Sequence, residues 1–458
     1  MSSLTRHVAE FVAHTRYEDI PADVRELAKK SMLDGLGVSL SGSISEPVRI
    51  VLDYVRECGG ECSTIGSDAR LPARFAALVN GTAMHADDYD DTLQAATGRY
   101  QGVHVTAPVL AAALAAAERR NASGRDLLVA YAVGVEVASR TFDSTNVNHS
   151  LKGFHATATC GMLGASAAVS RLMELDTERV CMAFGLAATQ AGGLLENIGS
   201  MAKPFHAGRS AEGGVVSNEL VARGFTASKQ ILESPVGFYM AQGGPHEEGR
   251  IRDRLGKPWS FAERGVSLKP FPSCALGHPA LTHVRELARR EALEPQHIAR
   301  VRVRTSQNVR DTLRNHAPAD ELQAKFSMEF GIAAILHEGR CGLSEFNREL
   351  VNRADVRSTM GLVDYGVFSD AEAKSNGYML NTTFLDIELK DGRTLSERVD
   401  WGKGSKSNPM SMDEVADKLR ECAQYARWPA DKSERAIDLA RRVDAVANVR
   451  ELMACLAQ

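Results

Sequence analysis

The chain has 458 residues, of which 44% are hydrophobic and 24% are charged, so it can form a large core and more than one domain. Its 54 Lys and Arg residues and 58 Asp and Glu residues give a formal net charge of -4, which argues against a protein built mainly to bind nucleic acid. The sequence also contains no uncharged apolar run long enough to span a bilayer. We therefore expect a cytoplasmic protein with no nucleic-acid or membrane partner.

The first 266 residues carry helical patterns almost throughout. The clearest are two alanine-rich segments, 73–86 and 108–120, whose small side chains let helix axes approach closely. Further helices are predicted at 124–139, 159–174, 177–190 and 211–223. Because no strand-like alternation of any length interrupts them, this part is predicted to be an all-helical domain.

After residue 266 the sequence predicts a mixture of strands and helices. Residues 300–305 alternate with a period of two, and two further alternating runs, 383–389 and 394–399, flank a turn-forming Asp-Gly pair. Helical patterns return near residue 412. The predicted fold is mainly α, with a large all-helical domain (1–266, completed by 403–458) and a smaller α+β lid domain (267–402).

An acidic segment, HADDYDDT at 85–92, follows the first alanine-rich helix. Its four carboxylates would repel one another strongly if they were buried without positive or imidazole partners. A solvated loop with helix-capping aspartates and a magnesium site are the alternative interpretations. An active-site role therefore requires basic partners elsewhere in the chain.

Such partners occur at predicted helix boundaries. His104 precedes one alanine-rich helix, and His155 lies among small residues (GFHATAT) before another helix. Lys203 and His206 share the segment AKPFHAG, which predicts a turn bounded by proline and glycine, and Lys269 lies in a proline-stiffened turn (KPFPSC). A single loop histidine is more often structural, but several histidines with lysines suit a substrate that bears several carboxylates. The combination favours removal of a proton from the carbon next to a carboxylate.

The order of these motifs resembles the MmgE/PrpD superfamily, which includes 2-methylcitrate dehydratase, cis-aconitate decarboxylase and iminodisuccinate epimerase. The resemblance covers nearly the whole chain, through the segments DGLG, HADDYDDT, GFHATATCG, AKPFHAG, KPFPSC, AKFSMEF and GKGSKSNPM. It implies an enzyme without cofactor or metal that acts on a small polycarboxylate. The resemblance also implies an active site between a helical domain and a lid, and a homodimer.

Carried over by motif, the resemblance implies pocket roles for six residues: Asp88, Thr92, His104, His155, Lys203 and Lys269. Four further candidates do not come from the carry-over: His206 beside the lysine of AKPFHAG, Cys274 in the KPFPSC turn, and Arg99 and Tyr100 in a loop that differs from the relatives. The catalytic candidates are His104, His155, Asp88 and Lys203. The substrate-binding candidates are Thr92, Lys269, Arg99, Tyr100, His206 and Cys274. The first two histidines are the expected acid and base, the lysines hold carboxylates, and the aspartate orients a histidine or holds it protonated.

Two differences from cis-aconitate decarboxylase argue against decarboxylation. That enzyme offers a histidine where this sequence has Cys274, and a tyrosine near the position of Phe330, which cannot donate a proton. The preferred prediction is therefore epimerisation of an iminodisuccinate-like substrate or dehydration of a 2-methylcitrate-like one. A decarboxylase, a catalytically silent carboxylate-binding relative and a metal-dependent hydrolase are the alternatives.

Overall fold

The computed structural model describes residues 3–94 and 102–458, and it divides into two compact units. The first unit contains Met1–Val266 and Ser411–Gln458, and the second contains Ser267–Met410. Among the described residues, no helix combines the length and the apolar composition needed to cross a membrane.

The first unit is built from helices, as the sequence predicts. In chain order they are α1 (Leu4–His14), α2 (Ala22–Ser43), α3 (Glu46–Val55), α4 (Ala73–Ala86), α5 (Thr106–Arg120), α6 (Gly124–Ser144), α7 (Asn148–Leu151), α8 (Ala156–Leu172), α9 (Thr177–Gln190), α10 (Ala202–Ala222), α11 (Phe238–Gln242), α12 (Gly249–Arg252) and α13 (Ser260–Glu263). Short antiparallel pairs join β1 (Cys62–Ser63) to β2 (Arg70–Leu71) and β3 (Leu93–Gln94) to β4 (Gly102–Val103). The prediction of a mainly α fold is confirmed.

Helix α10 starts nine residues before its predicted start at 211, so the expected turn at AKPFHAG is wrong. Lys203 and His206 lie on the first two turns of this helix. Pro204 also lies in the first turn, where a helix tolerates proline because the backbone N–H groups there have no partner within the helix. A proline that looked like a turn signal is therefore a helix-start signal.

Two glycines let α4 and α10 approach closely. A Cβ atom on Gly81 would lie 2.9 Å from the Cα of Gly208, and one on Gly208 would lie 2.2 Å from the Oγ1 of Thr82. Real side chains do not tolerate these separations, so the two backbones can touch only through glycine. The contact holds the C-terminal turn of α4 near the first turns of α10.

The second unit combines a sheet with helices, as predicted. Its helices are α14 (His278–Arg290), α15 (Gln307–Thr312), α16 (Glu321–Ala324), α17 (Met328–Glu338), α18 (Arg348–Asn352), α19 (Ala354–Met360) and α20 (Asp370–Asn376), and its strands are β5 (Ile298–Thr305), β6 (Val363–Val367), β7 (Thr383–Leu389) and β8 (Thr394–Val399). The sheet order is β6-β5-β7-β8, with β5 and β6 parallel and the other pairs antiparallel. The predicted hairpin is formed by β7 and β8, whereas β6 was not predicted.

The segment 403–410 groups with the second unit, although the sequence prediction assigned it to the helical domain. It is tied there by backbone contacts: the Leu268 N–H donates to the Gly404 carbonyl at 3.0 Å, and the Lys403 N–H donates to the Thr282 hydroxyl at 3.2 Å. The last helices, α21 (Met412–Tyr425), α22 (Ala430–Arg441) and α23 (Arg450–Leu456), belong to the first unit, where α21 packs against α2.

Candidate active site

Five of the predicted site residues lie together in the first unit. They are Asp88, His104, His155, Lys203 and His206, and two further residues that the sequence analysis did not select, His85 and Asp90, join them. The side chains come from the ends of α4, α8 and α10 and from the segment after β4. Helix termini thus position most of the group.

The end of α4 folds Asp90 back onto His85, which lies in the last turn of the helix. The helix is capped at Asp87, and Asp88 then takes a left-handed conformation with φ of 53°. Such a conformation is uncommon for residues other than glycine, although aspartate is among those that adopt it more readily. After this reversal both carboxylate oxygens of Asp90 lie 2.9 Å from the Nδ1 of His85.

Asp88 forms a buried ion pair with Lys203. The Nζ and Oδ1 atoms are 2.5 Å apart, and the two residues are only 8% and 6% exposed. Burying two charges is costly, and the pair compensates only while both partners are present. The ion pair joins the acidic segment to α10.

His104 lies beside both carboxylates. Its Nδ1 is 3.2 Å from the Oδ2 of Asp90, at ion-pair distance but not aligned for a hydrogen bond, and its Nε2 is 3.9 Å from the Oδ1 of Asp88. The backbone N–H of His104 donates to the Thr157 hydroxyl at 3.1 Å, and its ring centroid is 4.4 Å from that of His85. The His104 side chain, 12% exposed, therefore meets the acidic segment at the edge of the cluster.

His155 and His206 form a second imidazole pair. His155 is the N-cap residue of α8, but its side chain makes no capping hydrogen bond. Its Nδ1 lies 3.1 Å from the Nδ1 of His206, so one of the two nitrogens donates to the other. The ring of His155 also stacks near His85, with centroids 6.2 Å apart, which links the two halves of the cluster.

Burial keeps most of these imidazoles neutral. It lowers the pKa of His85 to about 3, and burial together with the positive charge of Lys203 lowers the pKa of His206. Burial, His85 and Lys203 hold the pKa of His155 well below its ordinary value. Burial would raise the pKa of Asp90, but its imidazole neighbours outweigh that effect and hold this pKa well below the usual range. The cluster therefore contains proton acceptors beside ionised carboxylates.

Asp91 faces away from this cluster. Its carboxylate accepts a hydrogen bond from the Thr106 hydroxyl, which in turn lies 2.5 Å from the Tyr131 hydroxyl. Burial raises the pKa of Asp91 to about 8. Neighbouring aspartates of one motif thus have opposite protonation behaviour, as their surroundings dictate.

The donor set also resembles that of a metal site. His85, Asp88, Asp90 and His104 offer ligand atoms that all lie within 4.8 Å of one another. However, the ammonium group of Lys203 already supplies a positive charge to Asp88, and a divalent cation there would be repelled by it. The lysine therefore disfavours a divalent cation at these four residues.

Of the other five predicted residues, three fall in the sequence range of the first unit and two in that of the second. Thr92 is buried directly before β3, and Arg99 and Tyr100 fall outside the described residues. Lys269 and Cys274 belong to the second unit, where the first is buried and the second half-buried.

Phe330, which the sequence analysis used to argue against decarboxylation, is completely buried in the hydrophobic core of the second unit. Its ring centroid lies 5.4 Å from that of Phe346. The side chain at this position therefore fills a core. Its lack of a hydroxyl group carries little weight for the choice of reaction.

Sequence reasoning missed His85 and Asp90, although both lie in the segment that supplied Asp88. Asp90 is two residues from Asp88, and His85 is on the last helical turn before the reversal. The four aspartates are equivalent in sequence, and only the left-handed turn at Asp88 decides which of them face inward.

The first unit is thus mainly helical and buries several imidazoles against carboxylates and one ammonium group. The chain belongs to the MmgE/PrpD family. The family's N-terminal domain matches residues 6–248 and its C-terminal domain matches residues 271–445.

Curated relatives align with nearly the entire chain. Human cis-aconitate decarboxylase is 28% identical over 97% of this chain and 92% of its own length, and the mouse protein of that name is 29% identical over 92% and 86%. Cis-aconitate decarboxylase of Aspergillus terreus is 25% identical over 92% of this chain and 89% of its own length.

Proposed function

We propose that the protein is a lyase or isomerase that transfers a proton at a carbon next to a carboxylate of a small di- or tricarboxylate. The observation that carries this proposal is the buried group of neutral imidazoles around the Asp88–Lys203 ion pair. Neutral histidine accepts a proton, and an ammonium group stabilises negative charge that develops on a carboxylate.

Proton transfer in this site is coupled to substrate charge. A polycarboxylate that binds beside His104 and His155 adds negative charge to a buried region, and this raises the pKa of His155 from its lowered value. The proton taken from carbon then remains on an imidazolium that is paired with the anion. Lys203, shared between Asp88 and a substrate carboxylate, lowers the energy of the enolate-like intermediate.

Decarboxylation of cis-aconitate is the first reaction to test, because the relatives that carry this name align along almost the whole chain. In this reaction a carbon–carbon bond to a carboxylate breaks, CO2 leaves, and the electron pair shifts to a neighbouring carbon. That carbon takes up one proton from an imidazolium. The site offers the required acid once substrate has raised a histidine pKa.

Epimerisation and dehydration are the competing reactions, and they begin instead with abstraction of the proton next to a carboxylate. Cys274 stands where cis-aconitate decarboxylases offer a histidine, which favours these simpler reactions. After proton abstraction, the carbanion is reprotonated on the opposite face or expels a β-hydroxyl group. Because Phe330 lies in a core, it adds nothing to this argument.

The test is incubation of the full chain with cis-aconitate, 2-methylcitrate and iminodisuccinate in deuterium oxide, followed by proton NMR. Decarboxylation releases CO2 and leaves deuterium in the product. Epimerisation places deuterium at the α-carbon while all carboxylates are kept, and dehydration gives an alkene. Lys203→Gln should abolish whichever activity appears. Lys229→Gln, at an exposed ion pair in the same unit, is the matched control and should retain it.

Absence of turnover and of deuterium exchange with all three substrates, in a folded protein, would contradict the proposal. Equal activity of the two lysine variants would remove Lys203 from the site.

A further inference from the structure

Asp90 lies between two imidazole rings and contacts both. Each of its carboxylate oxygens is 2.9 Å from the Nδ1 of His85, and its Oδ2 is 3.2 Å from the Nδ1 of His104. The side chains of Asp90 and His85 are fully buried, whereas that of His104 is 12% exposed. Only the last of the three is open to a ligand without rearrangement.

This arrangement selects one tautomer of each ring. A carboxylate can only accept hydrogen bonds, so His85 must carry its hydrogen on Nδ1. The opposite tautomer would aim a lone pair at Asp90 and would bury an N–H group at Nε2, which has no partner among the described residues. In His104 both ring nitrogens lie on the side of a carboxylate, but the Nδ1 is nearer, at 3.2 Å from Asp90 against 3.9 Å between the Nε2 and Asp88. Because Asp88 already accepts from Lys203, the electrostatic attraction of Asp90 favours the hydrogen on the Nδ1 of His104. Its Nε2 then presents a lone pair on the side of Asp88.

We infer that Asp90 is a positioning residue that, itself held by His85, fixes His104 in the tautomer whose Nε2 accepts the proton of the substrate. This inference rests on the proposed function and adds to it the group that prepares the base. The ionised state of Asp90 agrees with this role, because its pKa is held well below the usual range by its two imidazole neighbours against the effect of burial.

The tautomers can be measured without any substrate. Two-bond proton–nitrogen correlation spectra of the nitrogen-15-labelled chain at neutral pH report which imidazole nitrogen is protonated, and the spectra of His85→Gln and His104→Gln assign the signals. We expect protonated Nδ1 and unprotonated Nε2 in both rings. A His104 ring protonated at Nε2 overturns the inference, whether or not the protein acts on polycarboxylates.

Asp90→Asn tests the consequence for turnover. The amide offers an N–H group to one ring and so removes the preference for Nδ1–H. We expect His104 to change its tautomer and kcat to fall about 100-fold or more, with KM nearly unchanged. Asp87→Asn, at the C-cap residue of α4, should alter neither the His104 tautomer nor kcat.

The positioning role would be contradicted if His104 kept its tautomer in the Asp90→Asn variant. It would also be contradicted if KM rose in that variant while kcat stayed unchanged. If that variant does not fold, the tautomers of the wild-type chain still decide the question. If the wild-type chain shows the expected tautomers but turns over no polycarboxylate, the proposed function fails and the arrangement of Asp90 stands.

Discussion

Replacing Lys203 with methionine should destabilise the first unit strongly, because it leaves the buried carboxylate of Asp88 without its partner. At the observed separation of 2.5 Å, two unit charges attract by about 7 kcal/mol if the effective dielectric constant is about 20. Desolvation of both charges offsets part of this attraction. Removal of one partner from a buried pair typically costs about 3–5 kcal/mol, and we expect a loss in that range.

The assay is urea unfolding followed by far-UV circular dichroism, with turnover measured in parallel. Lys203→Met combined with Asp88→Asn removes both charges and should recover most of the free energy of unfolding, but not the activity. Lys229→Met changes a lysine of an exposed pair and should behave like the wild type. If Lys203→Met were as stable as Lys229→Met, the ion pair would not be the buried, mutually dependent contact described above.

Four further outcomes are expected. His155→Gln should lower kcat by about 100- to 10,000-fold without loss of helicity by circular dichroism, and near-normal kcat would remove His155 from the acid–base group. Asp91→Asn should gain melting temperature relative to wild type between pH 5 and pH 8. The pKa of Asp91 is raised to about 8 in the folded chain and is about 4 in the unfolded chain, so between these values the folded state binds one more proton. The stability of the wild type therefore falls as the pH rises, whereas that of the asparagine variant does not. A difference in melting temperature that stays constant with pH would contradict the raised pKa. Phe330→Tyr should cost about 1–3 kcal/mol in urea unfolding, because it buries a hydroxyl in an apolar core, and should not increase CO2 release. Chelator treatment should leave turnover intact, as checked by assay after dialysis, since Lys203 supplies the positive charge at Asp88; loss that added metal restores would favour the hydrolase alternative.

The sequence predicted the fold well where a single periodicity dominates. The helix at 177–190 and the strand at 383–389 agree with the structure at both ends, because each has a regular hydrophobic spacing and the helix also has an N-cap aspartate, Asp176. The start of α10 was misplaced because Pro204 is compatible with both a turn and a first helical turn. Strand β6 was missed because its parallel pairing with β5 is a long-range contact that no local pattern reveals.

The candidate site was predicted in part. His104, His155 and Lys203 stood out because each lies next to small residues or proline near a predicted helix boundary. Which carboxylates face them could not be read from HADDYDDT, since the direction of each side chain depends on the left-handed conformation of Asp88. The opposite environments of Asp90 and Asp91 arise from residues that are distant in sequence, and their protonation states therefore require coordinates.

The contact between Gly81 and Gly208 makes the chemistry of the cluster sensitive to a single methyl group that touches none of its polar side chains. An alanine at position 208 would clash with the neighbouring backbone and push α4 and α10 apart, although every polar side chain would remain. The distance between Asp88 and Lys203 would increase as the helices separate, and their ion pair would weaken. Inactive natural variants of this protein can therefore arise by mutations that a comparison of polar residues alone would overlook.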